Sequence, residues 1–334
     1  MPKPERYYSQ TYSLVDNLAP SDVDVRGYEE HPLNNYAGPA APERIARAER
    51  APPAYYDTNS LKRPQKTGWT RRRKIIVFGS IAAAVVIIII IAAVAASLSH
   101  SSSYSYTPLT VQVTNDSAFT DGGATTQSAN NVSDGIGAGT DKYTYYSGTA
   151  SDFPNASEWI SFESMWEGNL YTLQHSCKSL GDGPNNSQKD IDYIFDAVQN
   201  RADASLVDHR FIFAVILQES HGCVRVKAST SSSGVKNPGL MQSHNGHAYS
   251  AAHANISILA MVQDGTQGTS AGDGLVQNLD NYGNAYSAAR GYNSGYIPKS
   301  GNLSEAAGAT ACYVSDIANR LTGWVNATST CTES

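Results

Sequence analysis

The chain has 334 residues, of which 41% are hydrophobic and 16% charged, and it carries a formal net charge of −6. That length is enough for one or two domains. The acidic balance excludes nucleic acid as a partner and argues against the strongly cationic style of bactericidal wall-degrading enzyme, since such a chain is not steered onto anionic surfaces.

Residues 1–70 scatter Tyr, Pro and charges ("GYEEHPLNNYAGPAAPERI") without a sustained apolar period. They read as a disordered cytosolic tail whose partner the sequence does not identify. Residues 75–96, "IIVFGSIAAAVVIIIIIAAVAA", follow as an uncharged run. At about 1.5 Å of rise per residue such a run crosses a hydrocarbon core of roughly 30 Å. Lys62, Arg63, Lys66 and Arg71 to Lys74 precede it, and no basic residue follows until Lys142. Residues 71–97 are therefore expected to be an uncleaved transmembrane signal anchor in a lipid bilayer, with the N-terminus cytosolic and the C-terminal part extracellular or lumenal.

Two further signals agree with that orientation, because disulfides and N-glycans belong to the secretory side. All four cysteines (Cys177, Cys223, Cys312 and Cys331) follow the span. So do all the sequons, at Asn115, Asn131, Asn155, Asn185, Asn255, Asn302 and Asn326. Up to residue 98 there are 13 Lys and Arg against 9 Asp and Glu; beyond it the counts are 11 and 21. The expected exterior part is thus strongly acidic.

Residues 98–155 are rich in Ser, Thr, Gly, Asn and Tyr. This composition suits an extended stalk that holds the next domain off the membrane. From residue 156 the texture is that of a mainly helical domain, running to 334. "EWISFESMWEGNLYTL", "DIDYIFDAVQNRA", "LVDHRFIFAVILQES", "AHANISILAMVQD", "GLVQNLDNYGNAYSAARGYNSG" and "ATACYVSDIANRLTGW" repeat apolar residues at three- and four-residue spacing. Strand signals are few and short.

The third of these pieces carries an unusual charge. "FIFAVIL", Phe211 to Leu217, is apolar on every face and belongs at a domain centre. Glu219 then stands at the helix C-terminus, where the macrodipole and apolar neighbours both disfavour its ionised form. It is either a general acid for near-neutral pH or a helix-terminal Glu turned to water.

Three pieces stand in order: "ES" at Glu219 and Ser220, "GLMQ" from Gly239 to Gln242, and "GYNSG" from Gly291 to Gly295. Over about residues 160–325 the chain resembles the lysozyme-like superfamily of lytic transglycosylases (SLT) and goose-type lysozymes, glycoside hydrolase family 23, here on a membrane-anchored eukaryotic, fungal-like protein. The resemblance implies an α+β lysozyme-like domain that cleaves a β-1,4-linked N-acetylamino-sugar polymer, peptidoglycan or chitin-like. Glu219 is implied as catalytic acid and base. The resemblance further implies that Ser220 steadies the helix end or the substrate, that Gly239, Leu240, Met241 and Gln242 line the cleft, and that Tyr292 and Asn293 position the sugar and the Glu. The rival reading is a non-catalytic wall-glycan binding or sensing protein that keeps the fold.

The sequence departs from the family in two places. The loop "HGCVRVKASTSSSGVKNP" is enlarged, and Gly291 stands where Ala is usual. The expected disulfides are Cys177–Cys223, tethering that loop, and Cys312–Cys331, one of three possible pairings. Asp264, Asp273 and Asp280 lie in the right half of the domain for a second carboxylate, but none is marked out. His244, His247 and His253 fit no zinc spacing, so neither metal nor cofactor is expected.

Overall fold

A computed structural model describes residues 104–231 and 234–331. The expected tail and transmembrane run lie outside the described residues. Among the described residues no helix is long and apolar enough to cross a membrane.

Among the described residues the architecture is mainly helical, with one small two-stranded sheet and eight α-helices. A short helix α1 (Asp116–Thr120) precedes seven longer ones: α2 (Phe162–Leu180), α3 (Gln188–Ser205), α4 (His209–Ser220), α5 (Ala254–Gln267), α6 (Leu275–Tyr282), α7 (Ala285–Ser294) and α8 (Tyr313–Leu321). Strands β1 (Ser229–Thr230) and β2 (Lys236–Asn237) pair antiparallel, Ser229 opposite Asn237. They lie inside the enlarged loop that follows Glu219.

Local chemistry sets the helix ends. Ser161 caps α2 by accepting from the Ser164 amide, and Ser187 with Asp190 forms a reciprocal capping box at α3. The stretch expected as one helical piece from Gly274 to Gly295 divides into α6 and α7. Gly283 takes the left-handed conformation that ends α6, and the Asn284 side chain caps α7 by accepting from Tyr286 N.

Helix α4 is the centre, buried continuously from His209 to Leu217. Around it stand α2, α3 and α8, while α3 also packs on α5 and α6 on α7. Gly291 marks the closest part of that last pairing. A Cβ there would stand 2.4 Å from Asn278 Oδ1 and from the Tyr282 ring, so an alanine would require those side chains to shift.

The structure corrects the expected stalk. Within residues 98–155, the described part from 104 onward lies along the helices, so the folded unit begins well before residue 156. Val113, Ala118, Ala124, Ala129 and Phe153 are buried. The backbone of the segment is hydrogen-bonded to helix side chains. The Gln263 amide accepts from Leu109 N at 3.0 Å and donates to Thr107 O at 2.9 Å, and Gln267 Nε2 donates to Leu109 O and Val111 O. Asp280 accepts from Thr114 N and Asn115 N at 2.7 and 3.0 Å. A polar, Gly-rich segment attached through its main chain needs no apolar period, which is why its composition resembles a linker. Gln263 also accepts from the buried Arg201 at 2.8 Å. Gln263→Ala is expected to cost about 1–3 kcal/mol, the penalty for stranding buried polar partners, and to speed proteolysis near Thr107. Urea unfolding and a limited-digestion time course check both.

Candidate active site at the end of the central helix

Glu219 is the penultimate residue of α4, and His221 closes the helix in the left-handed conformation, φ 51°, donating its N–H to Leu217 O. Glu219 is half-buried. Burial pushes its pKa up to about 7, opposed by a hydrogen bond in which the Tyr313 hydroxyl donates to Oε1 at 2.7 Å. Tyr313 is itself buried at the start of α8, and the neighbouring Glu219 charge adds to burial in raising its phenol well above the ordinary value. A carboxyl with a midpoint near neutrality gives and takes protons readily at physiological pH.

Hydrogen bonds join the three sequence pieces in space. The buried Ser220 hydroxyl lies 2.8 Å from Leu240 O and 3.0 Å from Ile216 O, and it accepts from Gly222 N at 3.2 Å. The Tyr292 hydroxyl, on α7, donates to Met241 O at 2.7 Å. Burial raises the Tyr292 pKa, with the Glu219 charge as the next cause. Leu240 and Met241 are buried. Gly239 adopts φ 83°, and a Cβ there would stand 2.6 Å from His247 O. Only glycine lets the segment pass so close.

Other expected site residues have mainly structural contacts. Gln242 Oε1 accepts from Ser229 N at 2.9 Å and its Nε2 donates to Gly239 O at 3.0 Å, so its amide braces β1 against the turn. Asn293 Oδ1 accepts from Thr310 N at 3.1 Å and from the fully buried Arg290. It holds the loop that leads to α8. The bridges are Cys177–Cys223, between α2 and the residues just past Glu219, and Cys312–Cys331, at the start of α8.

The three aspartates expected as possible second carboxylates are placed differently from one another. Asp264 accepts from the His247 backbone and ring at 2.5 and 2.7 Å, Asp280 holds the 114–115 backbone, and Asp273 is exposed. Among the described residues, Asp134, Asp208 and His209 also converge. Arg210 neutralises the two carboxylates, with Nε 3.1 Å from Asp134 and Nη2 2.7 Å from Asp208. The donor set is therefore already occupied by a guanidinium.

Tyr313 went unnoticed in the sequence. It is 94 positions from Glu219, and nothing in "CYVSD" distinguishes a tyrosine that bonds a carboxyl from one that fills a core.

Ser220→Ala is expected to lower stability by about 1–3 kcal/mol, because it strands the Gly222 amide and the carbonyl to which the single hydroxyl proton is donated. Denaturant unfolding measures this directly, and a change below about 0.5 kcal/mol contradicts it.

Comparison with curated proteins and with solved structures gives no match for the chain. Residues 196–310 match the family model described as the transglycosylase SLT domain. That span includes Glu219, the Gly239–Gln242 segment and Tyr292, and members of the family are lytic transglycosylases, so this region of the chain is similar to the transglycosylase SLT domain.

Proposed function

We propose that the chain is a glycan-cleaving enzyme in which Glu219 alone serves as general acid and then general base on a β-1,4-linked N-acetylamino-sugar polymer, peptidoglycan or chitin-like. The observation that carries this reading is the Glu219 carboxyl itself. It is half-buried at the end of the most buried helix, hydrogen-bonded to Tyr313, and has a pKa near 7. In the first step it protonates the glycosidic oxygen, and the resulting carboxylate then takes the proton of the incoming nucleophile. With Asp264 bound to His247 and Asp280 bound to backbone amides, the reading assigns the second role to the substrate's own N-acetyl group or hydroxyl. Tyr292 and the Gly239–Gln242 backbone line the path of the glycan.

We propose a location as well. Residues 75–96 anchor the protein, the N-terminus is cytosolic, and the SLT-like domain faces the exterior or a lumen, carrying N-glycans at some of its sequons. Two disulfides support an oxidising compartment.

The test is to incubate the full chain with peptidoglycan and with chitin oligomers, beside Glu219→Gln, and to identify products by mass spectrometry. Anhydro-ended or reducing-end fragments from the native chain alone establish the chemistry and choose the polymer. Retained binding without fragments from either protein leaves a glycan-binding or sensing protein.

A further inference from the structure

Helix α8 holds the last turn of α4 at two successive residues. One contact is the Tyr313 bond to Glu219. The other is to Gln218, whose amide is used at both ends. Its Nε2 donates to Asp316 Oδ2 at 3.0 Å, and its Oε1 accepts from Arg320 Nε at 3.0 Å. The second Asp316 oxygen accepts from the Tyr143 hydroxyl at 2.6 Å. The buried Arg320 guanidinium lies 4.8 Å from the Trp324 ring, which meets Tyr143 edge-on at 4.9 Å. An amide with donor and acceptor both engaged has one orientation only, and charged partners make its bonds stronger than neutral ones. Tyr143, Asp316, Arg320 and Trp324 all fall outside the SLT-matched residues 196–310.

We infer that Asp316 is a positioning residue for Glu219: with Arg320 and Tyr143 it clamps Gln218, and through that residue it fixes the last turn of α4 so that the Glu219 carboxyl meets the Tyr313 hydroxyl and the glycan in one geometry. The inference rests on the reading of Glu219 as the acid. A misplacement of about 1 Å at such a group costs up to roughly a hundredfold in rate. The clamp also gives the flanking segments a purpose. The matched region supplies the carboxyl, and the chain on either side of it supplies the parts that hold it still.

The test is a double-mutant cycle on the full chain, following the Glu219 carboxyl titration by 13C NMR and assigning the signal by its loss in Glu219→Gln. Glu219 is hydrogen-bonded by Tyr313 from α8, and its charge acts on Tyr292 from α7; the Arg290 guanidinium of α7 lies 6.0 Å from the Tyr313 ring, Arg320 of α8 acts on Tyr313 as well as bonding Gln218, and Asp316 bonds Gln218. Tyr313→Phe removes a donor to the carboxylate and is expected to raise the midpoint by about one pH unit in the native background. In the Asp316→Asn background the same change is expected to raise it by less than about half as much, because the released carboxyl no longer meets Tyr313 squarely. Turnover of Asp316→Asn is expected to fall about tenfold, with KM within about twofold of native. Equal Tyr313→Phe shifts in the two backgrounds, with Tm changed by only a few degrees, overturn the inference. If Asp316→Asn does not fold, Tyr143→Phe takes its place in the cycle, and equal shifts there overturn it as well. Intact coupling in a protein that cleaves no glycan supports the clamp and removes the enzymatic reading instead.

Discussion

Glu219→Gln is expected to reduce glycan cleavage on the order of a thousandfold while glycan binding stays within a few-fold, because the amide keeps the shape of the side chain and cannot give or take a proton as an acid or base. The same substitution is expected to stabilise the protein at neutral and alkaline pH. The folded midpoint near 7 lies above the ordinary carboxyl value of 4.5. Between those two pH values the unfolded chain has released the proton and the folded chain still holds it, so native stability declines as pH rises. Below about pH 4.5 both states are protonated and the variant gains little. Above about pH 7 the gain levels off at up to about 3 kcal/mol, the free energy of a shift of this size. Cleavage by the native protein is expected to follow the same midpoint, falling as the acid ionises above about pH 7. Tm and rate measured from pH 4 to 9 check the two together. A pH-independent stability difference between the two proteins would contradict the assignment of a buried, protonated carboxyl.

The helices were legible in the sequence because each buries one face or all of its faces. Apolar spacing marks α2 to α8, and "FIFAVIL" marks α4 as the central one. What periodicity cannot show is a boundary set by two residues, and so Gly283 and Asn284 divided a stretch that reads as continuous. It also cannot show the packing of residues 104–155, which attach through main-chain bonds to Gln263, Gln267 and Asp280. At the site, the order of the Glu-Ser, Gly-Leu-Met-Gln and Gly-Tyr-Asn-Ser-Gly pieces was readable, and the Ser220 and Tyr292 bonds to the middle piece bring them together. Tyr313, Asp316 and Arg320 were not readable. Each sits on an amphipathic helix where a polar residue ordinarily means a solvated face, and its partner lies about a hundred positions away.

Removal of the Cys177–Cys223 bridge, by Cys177→Ala with Cys223→Ala, is expected to cost about 4 kcal/mol. The bridge closes a sequence separation of 46 residues, and the chain-entropy cost of freeing an unfolded loop of that length is of this size. The matching change at Cys312 and Cys331, with a separation of 19, is expected to cost about 3 kcal/mol. Catalysis is expected to respond in the opposite order. Past Glu219 the chain has a second anchor, since Asn186 Nδ2 donates to both Gly222 O and Leu173 O at 2.8 Å and its Oδ1 accepts from Val224 N at 3.1 Å. Ser220 also remains bonded to Leu240. With these in place, loss of the first bridge is expected to lower turnover only a few-fold at temperatures where the variant is folded. The second bridge has Cys312 as the residue that caps α8, directly before Tyr313. Freeing it loosens the helix start that supplies the hydrogen bond to Glu219, so turnover is expected to fall about tenfold despite the smaller stability loss. Urea unfolding without reductant, paired with initial rates well below each Tm, separates the two effects. Equal rate losses from both pairs would show that Tyr313 is held by the α7–α8 packing and not by the bridge.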